Sequence, residues 1–172
     1  MTGQFTLRRA APRDAVAVGA LLDACYGKLF PAGYDATLLQ AALPIITMAN
    51  LRLLASGRFL IATAPDDQLV GCGGWSAERP DSQDIVPDLG HIRHFGTHPD
   101  WTRRGVAAAI MARCVDDATS SGVVRFDCYS SLVAEGFYRA CGFVSVGPFD
   151  VTLPGGIVLP SVLMQRGGVV MA

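Results

Sequence analysis

Polar and apolar residues alternate over Gln4–Arg9 and predict a first strand. Pro12 suits the first position of a helix whose apolar face is Val16, Leu21, Leu22 and Cys25, with Gly27 as its stop. Phe30–Gly33 reads as a loop. A second helical stretch follows over about Asp35–Ser56, striped by Leu38, Leu39 and Ala42, with Pro44 expected to kink or split it. Arg58–Thr63 is a buried strand, Ala64–Gln68 a turn, and Leu69–Ser76 the returning strand of a hairpin. Gly71, Gly73 and Gly74 in that strand predict a bulge or a close backbone neighbour. Glu78–Pro87 is a polar loop.

The next stretch reads as strand, turn and helix. The strand covers His91–Thr97 and Pro99 ends it. Arg103 and Arg104 open the helix, with Gly105 in its first turn. Ala107, Ile110, Met111, Cys114, Val115 and Ala118 form one apolar face, and Arg113, Asp116 and Asp117 point away from it. A strand over Val123–Tyr129 follows. Ser131 then caps a short helix to about Arg139, stopped by Gly142. Phe143–Val146 is a strand, Pro148–Pro154 a loop and Ile157–Arg166 the last strand. The order β-α-α-β-β-β-α-β-α-β-β predicts an α/β (α+β) fold: a mixed sheet with helices on both faces.

At 172 residues the chain reads as a single domain, 1–172, able to bury a real core. A net charge of -1 argues against a nucleic-acid surface. There is no run of 18 apolar residues, so no membrane partner is expected. The N-terminus lacks a signal-peptide pattern, and five cysteines without a C-x-x-C suit reduced thiols, so a cytoplasmic setting is expected. His91, His94 and His98 have no paired cysteine motif, so no metal site is expected.

Gly and Ala in the first turn of the Gly105 helix weaken it but leave its backbone open to a neighbour. The first N–H groups of a helix lack internal partners and sit at the positive end of its dipole. With Arg103 and Arg104 beside them, they form a possible phosphate cradle. The same residues also fit a core helix with a solvated arginine pair.

Two blocks decide between these. Thr97-His-Pro99 is followed by Thr102-Arg-Arg-Gly105-Val-Ala107, and downstream stands Ser131-x-x-Ala134-x-x-x-Tyr138-x-x-x-Gly142-Phe143. The pair, at this separation and with this element order, resembles the GNAT-type N-acetyltransferase superfamily over nearly the whole chain. Thr102 stands where Arg or Gln is usual, and Ser131 where many members carry Asn. The resemblance implies a centrally splayed sheet of six to seven strands and acetyl-CoA as cosubstrate. It implies a cofactor arm paired with backbone at Phe95, Gly96 and Thr97. The diphosphate would lie on Arg103, Arg104, Gly105, Val106, Ala107 and Ala108, with Ser131 and Tyr138 facing the arm. The expected reaction moves an acetyl group to a primary amine of a small molecule or peptide by direct attack. A homodimer through the C-terminal strands is the family-based expectation. The alternative is a degenerate acetyl-CoA-binding sensor or regulatory protein of the same fold.

Such a reaction needs an acid for the leaving thiolate, a base for the amine and donors for the oxyanion. Tyr138, at the family's tyrosine position, is the candidate acid. His91 stands where many members carry a base, and its ordinary pKa lies near neutrality. Alternation places His91, Arg93, Phe95 and Thr97 on one face and His94 on the other, so His91 leads and His94 is second. An N–H near Gly96 or Thr97 is the oxyanion donor. An acyl-cysteine route through Cys128 or Cys141 has no sequence signature. Substrate-side residues are expected from the two N-terminal helices and the Glu78–Pro87 and Asp150–Gly156 loops, with Asp35, Glu78, Asp81 and Asp84 as possible amine partners.

Overall fold

The computed structural model describes residues 4–168, so the ends of the predicted 1–172 domain, residues 1–3 and 169–172, lie outside the described residues. Twelve main elements follow one another as β1 (Thr6–Arg9), α1 (Ala15–Leu29), α2 (Ala36–Ile46), α3 (Leu51–Ala55), β2 (Phe59–Thr63), β3 (Leu69–Ser76), β4 (Leu89–Thr97), α4 (Val106–Ser120), β5 (Arg125–Ser131), α5 (Glu135–Ala140), β6 (Val144–Thr152) and β7 (Val158–Gly167). The strands form one seven-stranded sheet in the order β1-β2-β3-β4-β5-β7-β6. Only the β4–β5 pair is parallel, as the α4 crossover requires.

Helices cover both faces, as predicted. Val106, Ile110, Met111, Cys114 and Ala118 of α4 are buried against Leu60, Val70, Trp75 and Ile92. Burying each large apolar side chain there contributes about 1.5–3 kcal/mol. On the other face, Val18, Leu21 and Leu22 of α1 and Leu53 and Leu54 of α3 pack on Phe59, Ile61 and Cys72. The stretches Pro12–Ala32 and Ala36–Ala55 are long and apolar enough to cross a membrane by length and composition. Here Val18, Leu21, Leu22 and Cys25 are buried, while Val16, expected on that face, is 86% exposed, and Leu39 and Ala42 join a third cluster with Phe30, Tyr34 and Leu159.

Several boundaries differ from the sequence reading. Helix α1 runs through Gly27 to Leu29, since an interior glycine costs only about 1 kcal/mol. The break in the second helical stretch falls at Thr47–Asn50 rather than at Pro44. Asn50 restarts the helix by accepting the Leu53 N–H at 3.0 Å, so a cap sets the boundary. Arg103 and Arg104 belong to the turn before α4. Ser131 ends β5, and α5 begins at Glu135, directly after a three-residue turn. Strand β6 absorbs the predicted Pro148–Pro154 loop as far as Thr152. As an edge strand it tolerates Pro148, whose missing N–H faces no neighbour.

Candidate functional site

Strands β4 and β5 pair only over Leu89–Arg125, Gly90–Phe126 and His91–Asp127. Beyond those three pairs they diverge, and the sheet splays. The cause is visible in β4. Arg93 pairs with Gly74 and Gly96 with Cys72, which leaves His94 and Phe95 opposite the single residue Gly73. That is a β-bulge, with His94 in the left-handed region at φ 53°. Gly73 is required here: a Cβ would lie 2.6 Å from the Phe95 ring.

The extra residue shifts the alternation, so the predicted shared face of His91, Arg93, Phe95 and Thr97 does not exist. Ile92 and Phe95 join the α4-side cluster, and Thr97 pairs with Gly71, against which Val106 packs. His91, Arg93 and Gly96 lie toward α1. His94 borders Val18, Leu22 and Leu54.

A cavity of about 460 Å³ occupies the splay. It runs from Cys25, Tyr26 and Phe30 on the α1 side, past Arg93, His94 and Phe95, to Ser131, Ala134 and Tyr138. Tyr138 is buried among Phe95, Phe137 and Phe143, and its hydroxyl lies beside the Cys128 thiol. Burial holds its pKa well above the ordinary tyrosine value, so it keeps its proton at neutral pH. Burial pushes the Cys128 thiol up to about 12 and raises Cys141 as well, the reverse of an activated nucleophile. All five cysteines are free.

The two histidines sit differently. His91 is 1% exposed, does not line the cavity, and its Nε2 has no hydrogen-bond partner among the described residues. Burial lowers its pKa, against an opposing effect from Asp127 across the β4–β5 pair. His94 does line the cavity. Burial, helped by the charge of Arg93, lowers His94 to about 4, so its imidazole is neutral at physiological pH.

Past the end of β4, the Pro99–Trp101 turn leads through Arg103, at φ 61°, to Gly105, at φ 81°, which caps α4. The left-handed cap explains the glycine, and no side chain caps the first N–H groups of α4. A Cβ on Gly105 would meet nothing within 4 Å. Arg103 and Arg104 are exposed, and the Arg104 guanidinium lies 4.7 Å over the Trp101 ring. Open donors, an empty approach and two cations suit a diphosphate. The same groups suit nothing apolar.

Of the residues singled out in the sequence, His94, Phe95, Ser131 and Tyr138 line the cavity. Gly96 and Thr97 continue β4 beside it. Gly96 pairs with Cys72 and Thr97 with Gly71 across the β3–β4 ladder. Arg103, Arg104, Gly105, Val106, Ala107 and Ala108 lie outside the cavity, at the turn into α4. The three expected substrate segments all contribute, through Ile46, Asp81 and Asp150 among others. Asp35 instead caps α2, accepting the Leu38 N–H at 2.8 Å. Glu78 and Asp84 do not line the cavity.

Three residues carry weight that sequence reasoning gave them no reason to have. Tyr26 donates to the Phe95 carbonyl at 3.1 Å and so braces the bulge. Tyr34 donates to the Pro160 carbonyl at 2.7 Å and accepts the Leu132 N–H at 3.0 Å, tying the α1–α2 connection to the far side of the cavity. Tyr129 stacks on Phe149 with centroids 4.2 Å apart. Only contacts distant in sequence reveal these roles.

Comparison with known proteins gives a consistent picture. The family model "Acetyltransferase (GNAT) domain" matches residues 34–152. The chain is similar in structure to a GCN5-related N-acetyltransferase from Rhodopseudomonas palustris, with a TM-score of 0.74, 20% identity and 98% of each chain covered. It is similar to the PaiA N-acetyltransferase of Thermoplasma acidophilum in complex with coenzyme A, with a TM-score of 0.73, 13% identity, and 96% of this chain and 99% of that one covered. N-acetylglutamate synthase from Neisseria gonorrhoeae, complexed with coenzyme A and N-acetyl-glutamate, matches at a TM-score of 0.61 and 18% identity, over 97% of this chain and 36% of that one. At these identities the likeness shows the shared fold. A search of curated protein sequences finds no match.

Proposed function

The chain belongs to the GNAT acetyltransferase family, and from that premise we propose that it transfers an acetyl group from acetyl-CoA to a primary amine by direct attack. The observation that carries the reading is the opening where β4 and β5 part, with a protonated tyrosine on its wall and an open, cationic helix start past the end of β4.

Acetyl-CoA supplies the acyl group already activated as a thioester. Arg103, Arg104 and the N–H groups from Gly105 to Ala108 hold its diphosphate. The β4 backbone after the bulge lies along its arm, as an added strand would. The bulge itself provides the oxyanion donor, because two residues facing one leave an N–H outside the ladder. Tyr138 gives its phenolic proton to the departing sulfur as the new N–C bond forms and the C–S bond breaks, and it regains a proton from water once the products leave. His94, neutral and on the cavity wall, takes the place that the sequence reading gave to His91. It accepts a hydrogen bond from the amine and passes its proton to water. Cys128, protonated and buried, stays out of the chemistry.

The test is release of free thiol from acetyl-CoA with a panel of primary amines. Turnover is expected with the wild type. Tyr138→Phe should lower it at least tenfold, with little change in acetyl-CoA affinity by calorimetry. Wild-type turnover in that variant removes the acid role. Tight acetyl-CoA binding without thiol release from any amine moves the chain to the sensor reading.

A further inference from the structure

The acceptor half of the cavity has a chemistry that acetyl transfer does not explain. Its walls are apolar, with Tyr26, Phe30, Ile46, Val133 and Leu159 facing the space. Into the same space β4 sends Arg93, which is half-buried. Burial lowers its pKa, against an opposing pull from the Glu78 carboxylate, which lies beyond ion-pair distance, and a guanidinium stays charged in a protein. A charge withdrawn from water is ordinarily paired. Among the described residues no carboxylate lies within ion-pair distance of Arg93. Its hydrogen bond goes to Ser76 Oγ at 3.0 Å, and that hydroxyl donates to the Glu78 carbonyl. The two carboxylates on the cavity wall do not answer it. Asp81 lies 3.6 Å from Arg79, and Asp150 is exposed on the β6 edge strand.

We infer that Arg93 receives the carboxylate of the acceptor, and that the acceptor is an amino acid with an apolar side chain. This rests on the acetyl-transfer reading for the amine and goes beyond it in naming the rest of the molecule. The planar fork of a guanidinium matches a carboxylate in two parallel hydrogen bonds. The apolar walls take the side chain. Arg93 stands immediately before the His94–Phe95 bulge, so an anion held there leaves the neighbouring amine at the splay. A single carboxylate balances the single guanidinium. A doubly charged phosphate would add an anion opposite Asp81 and Asp150. An amine without the carboxylate leaves a desolvated guanidinium unpaired, which selects far more strongly than an apolar wall does.

The experiment uses matched pairs: L-phenylalanine against phenethylamine, and L-leucine against 3-methylbutylamine. Thiol release is measured with wild type, Arg93→Gln and Arg93→Lys. In parallel, calorimetry follows binding of N-acetyl-L-phenylalanine and N-acetylphenethylamine, with and without coenzyme A. The wild type is expected to favour the amino acids at least twentyfold in kcat/KM, chiefly through KM. Arg93→Gln should bring the ratio near one, and Arg93→Lys should recover part of it. A wild-type preference for the decarboxylated amines overturns the inference. So does an equal loss of both substrates in Arg93→Gln, or a failure of the wild type to bind N-acetyl-L-phenylalanine. Arg93-dependent binding of that probe without thiol release keeps the acceptor assignment and removes acetyl transfer. Turnover of the decarboxylated amines alone does the opposite.

Discussion

On the α4 side of the splay, the proposed diphosphate contacts are the N–H groups from Gly105 to Ala108 and the adjacent Arg103 and Arg104, all within one short stretch, whereas on the α1 side the cavity wall is assembled from Tyr26, Arg93, Tyr129 and Leu159. One side offers donors that any sequence would carry, exposed because Gly105 turns left-handed and carries no side chain. The other offers particular side chains, brought together by strand pairing and by Tyr34. The cofactor side is thus fixed by local backbone geometry, and the acceptor side by tertiary contacts. A change on one side should leave the other side's affinity alone.

The sharpest way to break this comparison is Gly105→Val. A β-branched residue at φ 81° is strained by about 1–3 kcal/mol, and its side chain stands where the diphosphate approaches. Affinity for acetyl-CoA should fall about a hundredfold by calorimetry, roughly 2.7 kcal/mol. Binding of an N-acetylated product to the nucleotide-free protein should not change. An equal loss of both would show that the two sides are one unit.

Tyr34→Phe probes the other side. It removes the donor to Pro160 and the acceptor for Leu132, leaving a part-buried carbonyl and N–H unmatched. The expected cost is about 2 kcal/mol of stability by denaturant unfolding. Acceptor KM should rise about fivefold while the acetyl-CoA Kd holds. Unchanged KM would mean that this clamp does not shape the cavity.

The same contrast explains what the sequence could and could not say. Strand and helix order, the α4 stripe of Ile110, Met111 and Cys114, and the opening at Gly105 follow from periodicity and turn chemistry, which are local. The two family blocks are local as well. The face assignment on β4 failed because one inserted residue resets a period of two, and nothing in His91–Thr97 marks which residue is extra. The clue lay on the neighbouring strand, where Gly73 makes room for Phe95. His91 precedes the bulge, at the last pair with β5, where the sheet has not yet opened, and so it is buried beside the cavity. Arg93 looked like one more strand polar residue, because its isolation depends on which carboxylates other segments place nearby.

His94 gives the smallest effect and the most direct reading of that bulge. Its pKa is about 4 in the folded chain, against about 6.5 when unfolded. The folded state therefore holds fewer protons, and acid favours the unfolded state as pH drops through 6.5. Stability due to this group is intact above pH 6.5 and is lost progressively down to about pH 4. Between pH 6.5 and 5.5 the loss should be about 1 kcal/mol. His91, whose pKa is also lowered by burial, contributes to the same slope. Denaturant midpoints of wild type and His94→Asn at the two pH values separate them: the variant should keep only the His91 part. An unchanged slope would place the His94 imidazole in water rather than against Val18, Leu22 and Leu54, and the bulge would then aim it away from the cavity wall where the proposed proton path begins.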